Sequence, residues 1–323
     1  MRTFFLSVLF VIFFSLNLYP EVFRLSHVVS DDSPKGLAVK YFKEQVEKHT
    51  KGVVKIEIFS NGVLFDDREA LGALKKGIIQ FAIPSFSKIA DDVKEFQLFD
   101  IPYLFKSIDH IHRTYVGFVG NYLKKRALEK GYVVLAFWDN GFKVITTRDK
   151  PIYRPVDLKG LKIRTQGSYI INKSLSLTGA IPITKPFNVV VDYLKSGVID
   201  GQQNTFSNIY TQGFYKYQRY LTVTKNGFLG YAFITSRKFW NSLSDEYKEI
   251  IKDAVESTTI YEYKLAEEKN IDNFMRMKTF SNLNILVLDD LLLKEWEEYY
   301  KGYYPYFYDV VNENLINEVL KLE

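Results

Sequence analysis

The sequence has no cysteine, only four histidines and only three methionines in 323 residues. Without cysteine there is no disulfide, no thiol nucleophile, no thiolate metal site and no lipid anchor on an N-terminal cysteine. Stability must then come from buried apolar cores, and a chain of this length can form two lobes of ordinary domain size. The single His-x-His pair is His110 and His112, beside Asp109. The stretch Phe105-Lys106-Ser107-Ile108-Asp109 reads as a helix start, and residues two apart on a helix point in different directions, so no metal site is expected there. A glycine-rich phosphate loop, a nucleophile elbow and a dinucleotide fingerprint are all missing. These gaps argue against an enzyme and against a bound cofactor.

An excess of one charge sign is lacking too. Basic and acidic residues number 43 and 38, for a net charge of +5. The densest basic cluster, Lys124-Lys125-Arg126, lies in a helical pattern and reads as a solvated face. No basic stripe with interleaved aromatics is visible, which excludes nucleic acid as a partner. The one long hydrophobic run is Thr3 to Leu16, after Met1-Arg2 and before Asn17-Leu18-Tyr19-Pro20-Glu21. A charged start, a short apolar stretch and a polar exit predict a signal peptide over residues 1–20 and export to the periplasm. The run is shorter than the roughly 20 residues of a membrane span. No clean Ala-x-Ala precedes the mature start, so an uncleaved N-terminal anchor stays open as an alternative.

Strands alternating with helices follow. Val22 to His27 and Val53 to Phe59 alternate as strands, with a helix between them to about His49. A helix is predicted from Asp66 or Asp67 to Lys76, stopped by Gly77, and Ile78 to Ile83 reads as a buried strand ended by Pro84. Leu74-Lys75-Lys76-Gly77-Ile78-Ile79-Gln80 is echoed by Leu194-Lys195-Ser196-Gly197-Val198-Ile199-Asp200. One copy in each half is what two similarly built α/β lobes would show. A helix without internal proline or glycine runs from Ser244 to about Met277, long enough to brace both lobes. The aromatic tail from Trp296 to Tyr308 reads as core and inter-lobe packing.

Three polar clusters stand at strand ends. In Leu161-Lys162-Ile163-Arg164-Thr165-Gln166-Gly167-Ser168, alternation puts Arg164 at the end of a strand, opposite Leu161, Ile163 and Thr165, with a helix starting after Ser168. Ligands of open α/β sheets bind beyond strand carboxyl ends, helix N-termini attract anions, and arginine offers a planar fork that matches a carboxylate. A surface salt bridge is the competing role for Arg164. The second cluster is Asp200-Gly201-Gln202-Gln203-Asn204-Thr205, where Asn204 offers donors and an acceptor or else caps the next helix. The third is Trp138-Asp139-Asn140-Gly141-Phe142-Lys143, which ends near the crossover between lobes. Paired acids such as Asp66-Asp67 read as helix caps.

In these motifs, and in Ser26-His27-Val28-Val29, Ser33-Pro34-Lys35-Gly36 and Phe96 to Phe105, the chain resembles the extracytoplasmic solute-binding subunits of TRAP transporters, the DctP-type family. The resemblance implies a two-lobed periplasmic-binding-protein α/β fold with crossover strands and a long helix spanning both lobes. It implies a first lobe of residues 21–141 with 230–269 and a second of 142–229 with 270–323. The protein is then a monomer that hands a small carboxylate, a C4-dicarboxylate by the wording around Trp138, to a TRAP membrane permease. By the same resemblance Arg164 holds the carboxylate with help from Asn204, Phe187 packs on the carbon skeleton, and Lys143 holds further acidic oxygens. His27 and Ser85 face the cleft from the first lobe, with Lys35 and Tyr231 as further candidates. Family members often carry histidine where this chain has Asn226 and glutamate where it has Gln203, which leaves the ligand open between dicarboxylate, keto acid and sugar acid. An enzyme on the same fold and a tethered ligand-sensing partner of a membrane protein are the rival readings.

Overall fold

Two sheets carry the structure, a computed structural model that describes residues 20–323. The expected signal peptide, all but Pro20, lies outside the described residues. In chain order the strands are β1 (Glu21–Ser26), β2 (Val54–Phe59), β3 (Phe81–Ala82), β4 (Tyr132–Phe142), β5 (Val144–Thr147) and β6 (Lys162–Thr165). They continue with β7 (Ile181–Thr184), β8 (Gly201–Asn204), β9 (Tyr220–Val223), β10 (Phe228–Ser236) and β11 (Asn284–Val287). The first sheet has the order β2-β1-β3-β10-β4 and the second β11-β9-β5-β8-β6-β7. In β2 the alternation of the sequence is met by burial: Val54 and Ile56 are covered while Lys55 and Glu57 face solvent. β10, buried along its whole length, is covered on both faces, as a near-continuous apolar run requires.

The internal echo is structural. The helices Asp67–Lys76 and Val190–Ser196 end on Gly77 and Gly197, at φ 74° and 75°, a conformation glycine adopts without penalty. Beyond each glycine the chain meets the neighbouring strand in the same way. The Gln80 amide donates to the Arg24 carbonyl (2.9 Å) while its side-chain oxygen accepts from the Arg24 amide (2.8 Å). Asp200 does the same with Lys162, at 2.8 and 2.7 Å. The side chain of Gln80 takes a bond that a regular ladder would give to the backbone. Sheet pairing is therefore confined to Phe81–Ala82 and does not cover the whole of the predicted strand Ile78 to Ile83.

The chain crosses between lobes from β4 to β5 and from β9 to β10, and the two crossings are tied by the Lys143 amide donating to the Gly227 carbonyl at 2.8 Å. The helix Asp245–Phe280, 36 residues long and about 54 Å by its rise, braces both lobes. Ser244 caps it by accepting from the Tyr247 amide. Ile251, Ala254 and Leu265 belong to the first lobe's core, and Met277 to the second's. The aromatic tail divides: Trp296 and Tyr300 pack with Ile145 and Ile163 in the second lobe, whereas Tyr304, Phe307 and Leu315 join Ile111 and Leu123 in the first. This corrects the expected assignment of 270–323 to the second lobe. The apolar side of the helix Glu313–Leu320 (Leu315, Ile316, Val319) finds its cover on the first lobe, so the chain returns there after about Gly302.

Candidate functional site

A partly open cleft, with about 430 Å³ of atom-free space including its mouth, lies between the lobes, beyond the ends of β1, β3, β6, β7 and β8. The second lobe contributes Arg164, Gln166, Phe187 and Asn204; the first contributes Val28, Val29, Asp67, Ser85, Lys88 and Tyr231. This is where open α/β sheets place ligands.

Arg164 follows Ile163 on β6, and the alternation that buries Ile163 in the second lobe's core turns the guanidinium into the cleft. Its Nε and Nη2 donate to the Lys185 carbonyl at 3.0 and 2.8 Å, and its Cζ stands 5.7 Å from the centre of the Phe187 ring. The third nitrogen, Nη1, is buried without a hydrogen-bond partner. Only 1% of Arg164 is exposed, and this burial lowers its pKa to about 10, opposed by the charge of Asp67. Asn204 ends β8. Its Oδ1 accepts from the Thr205 amide at 3.0 Å and from Asn208 Nδ2 at 2.8 Å. Because a backbone amide can only donate, this contact fixes the side-chain amide's orientation and leaves Nδ2 as a buried donor without a partner. Two residues of the cleft lining thus each hold an unpaired buried donor, one of them cationic. An unpaired buried donor costs about 1–3 kcal/mol, more when charged, and a carboxylate would satisfy both.

Phe187, Ser85 and Tyr231 also line the cavity, and the Tyr231 hydroxyl is held by Asn140 Nδ2 at 2.7 Å. The other residues singled out in the sequence lie elsewhere. Lys35 sits behind the wall, its ammonium 3.7 Å from the centre of the Tyr231 ring and donating to the Ile83 carbonyl at 2.8 Å. Burial lowers its pKa to about 8, against the charges of Asp67 and Glu262. Lys143 pairs with buried Asp100 at 3.4 Å and, with Asn226 and Gln203, borders a separate small space rather than the main cavity. Asn226 donates to Gln203 Oε1 at 2.9 Å, so the two residues that depart from the family pattern bond to each other. Trp138 is a correction. It points into the first lobe's core, with Phe233 edge-on at 5.1 Å and its indole N–H donating to Thr259 at 2.9 Å, because the face of β4 it shares with Ala136 is covered by the long helix. His110 and His112 point apart, toward the Val319 carbonyl and the Asp139 carboxylate.

His27 is buried, is not among the residues that border the cavity, and has no hydrogen-bond partner on either ring nitrogen. Burial first, and the Lys35 charge second, lower its pKa from 6.5 to about 3. Below pH 6.5 the unfolded chain takes up a proton that the folded one refuses until about pH 3, so His27 makes stability fall as pH falls through that window. Asp67 and Asp100, whose pKa values burial raises, act in the opposite sense, so the effect is isolated by comparison with His27→Gln. Relative to that variant, the wild-type protein is expected to lose about 2 kcal/mol between pH 8 and pH 5 in urea unfolding. A difference independent of pH would show that His27 is not held neutral.

Lys88, Asp67, Gln166 and Asn208 line the cavity without having been singled out in the sequence. Asn208 lay within reach, since it stands in the first turn of the helix Phe206–Thr211 that starts just after Asn204 and is capped by Thr205. Asp67 was hidden by its neighbour: Asp66 is the helix cap, in a capping box with Glu69, and although both line the cavity only Asp67 is buried.

The comparisons with known proteins agree with this architecture. A family model described as bacterial extracellular solute-binding protein, family 7 (DctP) matches residues 25–309. The C4-dicarboxylate-binding protein DctB of Bacillus subtilis is 36% identical over 301 residues, 93% of this chain and 86% of that protein. The structure of a TRAP periplasmic solute-binding protein from Sulfurospirillum deleyianum with bound succinate superposes with a TM-score of 0.91 at 35% identity, covering 95% of this chain and all of that one. The sugar acid binding protein DctPAm of Advenella mimigardefordensis, in complex with galactonate, gives a TM-score of 0.91 at 27% identity, covering 94% and 97%. With a family match over most of its length, and two lobes closing on a buried arginine, the chain belongs to the DctP family of bacterial extracellular solute-binding proteins.

Proposed function

We propose that this protein is the extracytoplasmic subunit of a TRAP transporter, acting as a periplasmic monomer that captures a C4-dicarboxylate and delivers it to the membrane permease. The observation that carries the reading is the buried Arg164 guanidinium with Nη1 unpaired, in an inter-lobe cleft also lined by Asn204, whose Nδ2 is unpaired too. A carboxylate meets these donors on the second lobe, and Phe187 covers its carbon chain. Contacts from the first lobe, through Val28, Val29, Ser85 and Tyr231, form only on closing. The ligand then binds the closed form better, which is the condition for it to drive closure. Burial also strengthens the charge pair relative to water.

The apolar walls favour an unsubstituted carbon chain such as that of succinate. A sugar acid is the second reading, favoured by the unpaired Gln166 Oε1 in the lining, which could accept from a hydroxyl. Thermal unfolding with succinate, fumarate, malate, galactonate and a keto acid separates the two. A ligand at about a hundred times its dissociation constant should add about 2.7 kcal/mol of stability, and the C4-dicarboxylates are expected to do so at the lowest concentrations. If none of the acids shifts unfolding at millimolar concentration, the reading fails.

A further inference from the structure

The structure contains three buried lysines, Lys35, Lys88 and Lys143, and they differ in what their charge meets. Lys35 donates to a carbonyl behind the cavity wall, and Lys143 is paired with Asp100. The Lys88 ammonium has neither a hydrogen bond nor an ion pair among the described residues, and Lys88 alone of the three lines the main cavity. It belongs to the four-residue helix Phe86–Ile89 of the first lobe, whereas Arg164 belongs to β6 of the second. Asp67, the buried acid of the same wall, takes the Ser85 amide at 3.3 Å and is shared electrostatically among Lys35, Lys88 and Arg164, so it offsets only part of each charge.

From this we infer that Lys88 is the subsite for the ligand's second carboxylate and that a dianion closes the lobes by bridging Lys88 to Arg164. The inference rests on the reading above that Arg164 takes the first carboxylate. In the empty closed form two cations on opposing lobes line one cleft, and each raises the cost of burying the other. Opening the lobes separates them. A ligand with one negative charge satisfies Arg164 and leaves Lys88 facing it unpaired. A ligand with a charge at each end compensates both cations and turns their repulsion into attraction across the cleft. Selection for dicarboxylates thus resides in closure, because only a dianion has a large differential affinity for the closed state.

Calorimetry with succinate and with succinamate, in which one carboxylate is replaced by an amide of similar size, tests this on the wild-type protein and on Lys88→Gln. The wild-type protein is expected to prefer succinate by about 100-fold or more, the scale for a buried charge left unpaired, and the preference should fall below about tenfold in Lys88→Gln. Small-angle scattering should show the wild-type protein contracting with saturating succinate and contracting less with saturating succinamate. Equal wild-type affinities for the two ligands, or a preference that persists in Lys88→Gln, would overturn the inference while leaving the carboxylate reading in place. A wild-type protein that binds no dicarboxylate overturns both. The wild-type arms decide the matter even if the variant does not fold.

Discussion

Replacing Arg164 by methionine should abolish carboxylate binding while leaving the empty protein at least as stable as before. The two effects share one cause. In the empty closed form the guanidinium is almost wholly withdrawn from water, with a pKa lowered to about 10, and no carboxylate bonds to it. That lowering corresponds to a cost on the order of 3 kcal/mol for holding the charge there. The cost is recovered only when a ligand anion arrives. Methionine is close in length, uncharged and free of it, although the Lys185 carbonyl loses two donors, which offsets part of the gain. Affinity should fall by about 3–5 kcal/mol, since the ligand's carboxylate would be buried without its partner. Calorimetry and urea unfolding of the ligand-free protein measure the two halves. Retained affinity sinks the assignment of Arg164, and a variant destabilised by several kcal/mol would make the guanidinium a structural group.

The second large effect is expected at Trp138, with the opposite signature. Truncation to alanine should cost about 3–5 kcal/mol of stability, the range for removing a large aromatic from a packed core. It removes the edge-on contact with Phe233 and the indole bond to Thr259, both within the first lobe, and takes no residue from the cavity wall. Trp138 stands opposite the cavity-lining Tyr231 across the β4–β10 pair, so succinate affinity of the folded fraction should fall too, but by less than about tenfold. Trp138→Phe keeps most of the volume and should cost less, which provides a folded variant if the alanine form is too unstable. A loss of affinity beyond about tenfold with little change in unfolding would return Trp138 to the binding site.

These two residues show how far sequence reasoning reaches. Both stand on strands where alternation assigns a face, and both belong to motifs that resemble one family. For Arg164 the neighbours Ile163 and Thr165 claim the other face, and a helix cap follows at Ser168, so the end of β6 was legible as a candidate anion site. For Trp138 alternation marks a face but not the layer that covers it. The cover is the helix Asp245–Phe280, more than a hundred residues later in the chain. The separation of Lys143 from the main cavity was illegible for a like reason, since its partner Asp100 comes from another segment of the first lobe. Lys88 sits in a helix too short to show a period, with nothing local to distinguish it from a solvated lysine.

The sequence by itself determined the elements and their ends: Gly77 and Gly197 as helix stops, the caps at Ser168 and Ser244, the alternating strands, and the arginine and asparagine at strand termini. Each of these follows from backbone sterics and local hydrogen bonding, which act within a few residues. The tertiary structure alone decided which buried charges are compensated and which are not. Lys35, Lys88 and Lys143 are the same side chain with the same local preferences, and they differ only in the carbonyl, cavity or carboxylate that distant segments bring to the ammonium. Burial and Coulomb interaction depend on distance through space, and that distance is set when the lobes fold and meet.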